Sequence, residues 1–320
     1  MSDYIEEKEE AELNFHSEAI GAFMKRKFPP PDFVWDDFVA KGDFVCLAGE
    51  TGIGKTLVTQ LSTLNLSQGK EFASLNPKYR RKVFYIDAEM DEGDMQERFK
   101  RIPDHKNLSG NFHYMNCLAN ETALDLTNPD HQEKLLEQLQ ILGIELLVLD
   151  NLFSLSAIKD FRRPEEFIEG LKPFIHRLRR EKISCILLLH LNKAGEIYGS
   201  IAQIVFVDLV LVLEKDEEDR HSFRVVKNRR MGLETRDLHF AISETNECSS
   251  IDPQDFVSKK QYIRYMDNNF HNYYPDRYRT KRKAIEAMNE DYRKRFEHDP
   301  FINALSYEKN YAKHWNDEKE

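Results

Sequence analysis

The chain has 320 residues, 41% of them hydrophobic and 32% charged, with a formal net charge of −10. That length holds one large domain with extensions or two small ones, and the balance is that of a soluble globular protein. Net acidity argues against coating of duplex DNA while leaving room for local basic loops on phosphates, and no apolar run approaches the roughly 20 residues of a membrane helix.

Residues 1–28 open with MSDYIEEKEEAELNF, too acidic for a secretory signal peptide or a mitochondrial presequence, and read as an acidic amphipathic helical arm ending in MKRKF. PPPDF then breaks any helix. Over 29–249 short apolar runs alternate with helix-length amphipathic segments. DFVCLAG (43–49), KVFYIDAEM (82–90), NFHYMNC (111–117), ELLVLDN (145–151) and ISCILLLH (183–190) predict strands, and the segments between them carry apolar residues at helical spacing. The alternation predicts an α/β fold, a mostly parallel sheet with helices on both faces. Three β-like runs at 207–216, 221–230 and 237–244 follow without helices and predict antiparallel strands added at the C-terminal side. Residues 250–320, polar and rich in Tyr, Phe, Lys and Arg, with helix-like patches around 280–297, read as a small helical lobe or as a partly disordered arm for a protein partner. Cys46, Cys117, Cys185 and Cys248 have no metal-ligand spacing, which predicts reduced thiols in a cytoplasmic protein.

LAGETGIGKTL carries the chemistry. Gly49, Glu50, Thr51, Gly52, Ile53, Gly54, Lys55 and Thr56 form a P-loop pattern that follows an apolar strand and opens a helix. The backbone N–H groups of such a loop converge on phosphate oxygens, helped by the positive end of the helix. Lys55 is expected on the β- and γ-phosphates, and the Thr56 hydroxyl on Mg²⁺. No guanine-reading motif is present, so ATP is the expected nucleotide. Asp150 ends the strand ELLVLD, at the edge where parallel sheets place active sites, and is expected to hold a water of the Mg²⁺ shell. In YIDAEM, Asp87 and Glu89 compete for the role of general base. Glu89 is preferred because it lies nearer the nucleotide edge, with a helix-capping carboxylate as the alternative.

Taken together, residues from about Pro29 to Glu244 resemble RecA-like ATPases, specifically the branch of RepA-type hexameric plasmid replicative helicases with its phage and mobile-element relatives. The resemblance rests on FPPPDFVWDDFVAKGDFVCLAGETGIGKT, on the stretch leading to Glu89, on LLVLDNLFSL and on LLLHLNKAGEIYGS. It implies that His190 senses the γ-phosphate. It further implies that Lys227 and Arg229, in RVVKNRRMG, complete the ATP site of a neighbouring subunit, with Arg230 the less favoured finger. A homo-oligomer follows, a hexameric ring in this branch, with single-stranded DNA on the loops after two strands. Those loops supply Lys159, Arg162, Arg163, Lys193 and Tyr198. Two positions depart from the pattern: Leu189 stands where a first His is usual, and Tyr198 where an Arg precedes Gly199-Ser200. A filament-forming recombinase-like ATPase, and a regulatory or defence-system ATPase that never touches DNA, use the same core motifs.

Overall fold

The computed structural model describes residues 17–312 except 36–37, 104, 109, 121–122, 159–163, 192–196, 198–205, 217, 231–235, 253–258, 275–277, 279, 297–299 and 301. It divides into two compact units, Met1–Asp32 and Phe33–Glu320. In the first, the helix expected across 1–28 is found over Ile20–Phe23 (α1) among the described residues. Ala19 offers no side-chain cap and the first turn has no acidic residue, so nothing local offsets the cost of nucleation. Arg26 pairs with Glu18 at 2.6 Å, and Ile20, Phe23, Met24 and Phe28 are exposed.

The second unit is built on one sheet. Its strands are β3 (Phe44–Gly49), β4 (Val83–Asp87), β5 (Phe112–Asn116), β6 (Leu146–Asp150), β7 (Ser184–His190), β8 (Leu209–Lys215), β9 (His221–Asn228), β10 (Leu238–Ile242) and β11 (Cys248–Ser250). A separate ribbon pairs β1 (Phe33–Trp35) with β2 (Val39–Ala40), which the proline-rich composition before it hid. The sheet order is β11-β10-β9-β8-β3-β7-β6-β4-β5. Strands from β5 to β8 run parallel, and β9, β10 and β11 add antiparallel. The expected α/β fold is therefore the observed one.

Alternation along β3 explains the layers. Cys46 and Ala48 face a core with Leu135 and Leu139 of α4 (Pro129–Leu142) and Leu171, Phe174 and Leu178 of α5 (Pro164–Arg180). Val45 and Leu47 face a second core with Val58 and Leu61 of α2 (Lys55–Gln68) and with Val34 and Trp35. A sheet buried on both faces has continuous apolar strands, as LLVLD and SCILLL are. The Cys46 and Cys185 thiols lie within it, and burial pushes the Cys46 pKa up to about 12. Between β4 and β5 lies α3 (Glu92–Lys100), capped by the Asp91 carboxylate accepting the Gly93 N–H.

Among the described residues three α-helices follow the sheet: α6 (Lys259–Asn269), α7 (Lys281–Phe296) and α8 (Ala304–Asn310). They share a core of their own containing Met266, Phe270, Ile285, Met288 and Tyr292. The buried Tyr262 hydroxyl donates to Asn289 Oδ1 at 2.7 Å, which satisfies the polar tip of a ring inside this core. Buried Glu214, at the end of β8, accepts from Arg224 and from Arg264 of α6 and ties these helices to the sheet. No helix among the described residues is long and apolar enough to cross a membrane.

Candidate nucleotide site

The P-loop connects β3 to α2. Gly54 has φ +98°, a conformation that L side chains rarely adopt, and a Cβ there would stand 3.7 Å from His221 Nε2. At Gly49 a Cβ would press on the Lys55 side chain at 3.2 Å. The backbone thus needs glycine at 54, while a side chain at 49 would have to displace those of Ile53 and Lys55 slightly. Helix α2 begins at Lys55 with no side-chain cap bond at its N-terminus, which leaves its first N–H groups directed at the loop.

Lys55 is buried, and its ammonium donates to the carbonyl oxygens of Gly49 and Glu50, both at 2.9 Å. Nζ also lies 3.3 Å from His190 Nδ1 at the end of β7. Burial lowers the Lys55 pKa, opposed by the nearby charges of Asp150 and Glu89. Burial also lowers that of His190, assisted by Lys55 and opposed by Glu89, which favours the neutral imidazole. Thr56, the second residue of α2, hydrogen-bonds the Asp150 carboxylate. Asp150 ends β6 beside Asp87 of β4 in register.

Asp87 and Glu89 have different surroundings. Asp87 is fully buried; its Oδ1 accepts the backbone N–H groups of Glu89 and Met90, and its Oδ2 accepts the Tyr114 hydroxyl. It is a turn-forming carboxylate with both oxygens engaged. Glu89 lies just beyond β4 and reaches Asn151, whose Nδ2 donates to Glu89 Oε1 at 2.5 Å. Lys55, Glu89, Asn151, Asp150 and His190 therefore converge, although they come from four separate stretches of chain.

Two members of this group escaped the motif reading. Tyr85, fully buried on β4, donates its hydroxyl to Asp150 Oδ2 at 2.6 Å. Asn151 follows Asp150 directly. The only signal in the sequence was position: Tyr85 shares a strand face with Asp87, and Asn151 extends ELLVLD.

Thr56 and Asp150 form an oxygen-only pair, and no group of three or more His, Cys, Asp or Glu side chains able to hold a metal occurs among the described residues. That donor set fits Mg²⁺, which takes few protein ligands and completes its octahedron with water and phosphate oxygens. The cost of keeping Asp150 there is visible. Burial, with Asp87 and Glu89 nearby, pushes its pKa up to about 6 against the hydrogen bonds from Tyr85 and Thr56. A raised carboxylate pKa means that the folded chain holds the proton more tightly than the unfolded one. Ionisation therefore penalises folding above about pH 6, and the penalty fades as pH falls toward 4. Asp150→Asn is accordingly expected to raise the melting temperature of nucleotide-free protein in EDTA at pH 7.5, by on the order of 2 kcal/mol of stability. The gain should vanish near pH 4 and the variant should lose the extra stabilisation by Mg²⁺ with nucleotide; an unchanged or lower melting point at pH 7.5 would contradict the buried-charge account.

Lys227 and Arg229 lie elsewhere. β9 runs antiparallel to β8, so Asn228 pairs with Leu209 at the start of β8. The Arg229 N–H donates to the Asp208 carbonyl at 2.9 Å, and the Asp208 N–H to the Phe44 carbonyl at 2.8 Å. Arg229 is thus level with the start of β3, roughly 17 Å along the strand from Gly49, and its side chain is 44% exposed. A bulge decides its face. Val210 pairs with Lys227 and Leu211 with Val225, leaving Val226 as the extra residue. Arg230 is held by Asp43, with Nε 3.1 Å from Oδ2, and covers the Phe33 ring. Lys159, Arg162, Arg163, Lys193 and Tyr198 lie outside the described residues.

A P-loop after the first core strand, a carboxylate at the end of β6 two strands away in the sheet, and the parallel order β5-β4-β6-β7-β3-β8 define a RecA-like P-loop ATPase core. The chain belongs to the AAA_25 family, described as an AAA domain, whose pattern matches residues 9–196. Among solved structures it is similar to a KaiC-like protein from Pyrococcus horikoshii OT3, with 17% identity and a TM-score of 0.48 over 67% of this chain and 91% of that one. It is also similar to the flagellar accessory protein FlaH from Methanocaldococcus jannaschii, with 15% identity and a TM-score of 0.46 over 66% and 90%. No curated protein matches the sequence.

Proposed function

We propose that this chain hydrolyses ATP as a self-assembling motor of the RepA-type replicative helicase branch, with each active site completed by a neighbouring copy and single-stranded DNA as the track. The observation that carries this reading is the separation of the two halves of the site. Lys55, Glu89, Asp150 and His190 occupy one edge of the sheet, while Arg229 sits at the other, farther from its own P-loop than an arginine side chain reaches. A cation so placed serves a γ-phosphate only on another subunit. The contact joins unlike edges, so it is head-to-tail and closes as a ring or propagates as a filament.

In this reading Lys55 leaves the loop carbonyls for the β- and γ-phosphates, Glu89 orients the attacking water, and His190 detects the γ-phosphate. The neighbour's Lys227 and Arg229 neutralise the charge that spreads over the phosphoryl oxygens. Bound Mg²⁺, held through Thr56 and Asp150, supplies further charge neutralisation at those oxygens. Residues 29–249 are the ATPase core, residues 1–28 an arm, and residues 250–320 an extension suited to a protein partner. The segments that follow β6 and β7 are the ones assigned in this reading to track a phosphate backbone.

The net charge of −10 favours a second reading, a regulatory ATPase indifferent to nucleic acid. The discriminating measurement is steady-state ATPase rate per protomer against protein concentration, with and without single-stranded DNA. A rate that climbs with concentration and rises again with DNA, the latter weakening with salt, supports the motor. A concentration-dependent rate blind to DNA supports the regulatory ATPase, and a rate proportional to protein from an assembly shown to be monomeric removes the shared site.

A further inference from the structure

Asn151 is 2% exposed and its amide orientation is fixed from one side. Oδ1 accepts the backbone N–H groups of Phe153 at 2.9 Å and Ser154 at 3.3 Å, which leaves Nδ2 as the donor face. One N–H of that amide goes to Glu89 Oε1, and the nitrogen lies 3.4 Å from His190 Nε2. On the other side of the same imidazole, Nδ1 meets the Lys55 ammonium at 3.3 Å. A neutral imidazole has one lone pair and one N–H, yet here a donor stands at each nitrogen. One contact must therefore set hydrogen against hydrogen. The ammonium is the charged and nearer donor, so Nδ1 accepts from it and Nε2 carries the hydrogen that faces Asn151.

We propose that Asn151 is a positioning residue that links His190 to Glu89, so that arrival of a γ-phosphate beside Lys55 and His190 resets the hold on the base. The inference rests on the reading of Glu89 and His190 given under the proposed function. When phosphate oxygens draw the Lys55 ammonium away, Nδ1 faces an acceptor in place of a donor. One proton leaves Nε2 for solvent and one is taken up at Nδ1, with no change in net charge. Nε2 then offers its lone pair to the second N–H of Asn151. The amide turns toward the imidazole, and Oε1 of Glu89 is released to accept a hydrogen bond from the attacking water. Because Oδ1 anchors the N–H groups of Phe153 and Ser154, the same movement shifts the backbone just after β6. The nucleotide state thereby reaches the start of the segment that leads to α5.

Two measurements test this. The first is the nitrogen-15 spectrum of the imidazole nitrogens, with His190 assigned by its absence in His190→Gln. The proton is expected on Nε2 in nucleotide-free protein and on Nδ1 with Mg²⁺ and a non-hydrolysable ATP analogue; the same tautomer in both states overturns the relay. The second is a polarity exchange. Asn151→Asp keeps the acceptor for Phe153 and Ser154 but sets a carboxylate against Glu89, and it should weaken binding of the analogue by about 10-fold and lower the melting temperature. Adding Glu89→Gln restores one donor and one acceptor at unchanged net charge, so the melting temperature should be recovered, while analogue binding and turnover stay impaired because the carboxylate of Asn151→Asp has no N–H to offer Nε2. A loss of melting temperature in the double variant equal to the sum of the single ones overturns the link between Asn151 and Glu89, and recovery of analogue binding overturns the link between Asn151 and His190. Normal turnover in Glu89→Gln alone would instead remove the base assignment, so the two failures are told apart.

Discussion

Mixing Arg229→Ala subunits with Glu89→Gln subunits is expected to restore ATP hydrolysis that neither variant shows alone. The expectation follows from the distance along β3 between the level of Arg229 and the P-loop. In Arg229→Ala the base is intact and the finger missing; in Glu89→Gln the reverse holds. With free exchange at equal amounts, about a quarter of head-to-tail interfaces bring an intact base together with an intact finger. Each such interface should regain the factor that a finger supplied in trans contributes, on the order of 10³–10⁵ in rate. Activity should peak at intermediate mixing ratios and vanish at both extremes. No rescue at any ratio, with subunit exchange verified by a fluorescent label, would leave Arg229 a solvated residue paired with Asp208.

Lys55→Ala is expected to abolish turnover, by on the order of 10³-fold or more, and to weaken nucleotide binding. The Lys55 ammonium is bonded to the Gly49 and Glu50 carbonyls and faces His190. Loss of the cation takes away the charge that the phosphates require and leaves both carbonyls without that donor. Steady-state ATPase rate and equilibrium binding of a fluorescent nucleotide check the two effects separately. Retained turnover would place the reaction outside the P-loop.

The α/β class and the order of its elements were legible because they rest on local periodicity. Apolar runs of strand length between amphipathic segments leave few alternatives once both sheet faces must be covered. The strand order was not legible, since β3 neighbours β7 and β8 through contacts far apart in the chain. Of the helical arm expected over 1–28, residues 1–16 lie outside the described residues, and among 17–28 Ile20–Phe23 is helical.

By itself the sequence determined the phosphate loop, because glycine spacing, a lysine and a threonine in a strand-to-helix turn specify their own backbone geometry. It also offered two carboxylates, Asp87 and Glu89, as candidates for the base. Only the tertiary structure set them apart, by turning Asp87 onto backbone N–H groups and Tyr114 and leaving Glu89 to Asn151. The same holds for Tyr85, whose role depends on β4 lying beside β6, and for Lys227, which an extra residue at Val226 turns to the face of Val210. Strand alternation is a local rule with a period of two, and a bulge or a neighbouring strand overrides it through hydrogen bonds that no short stretch of sequence contains.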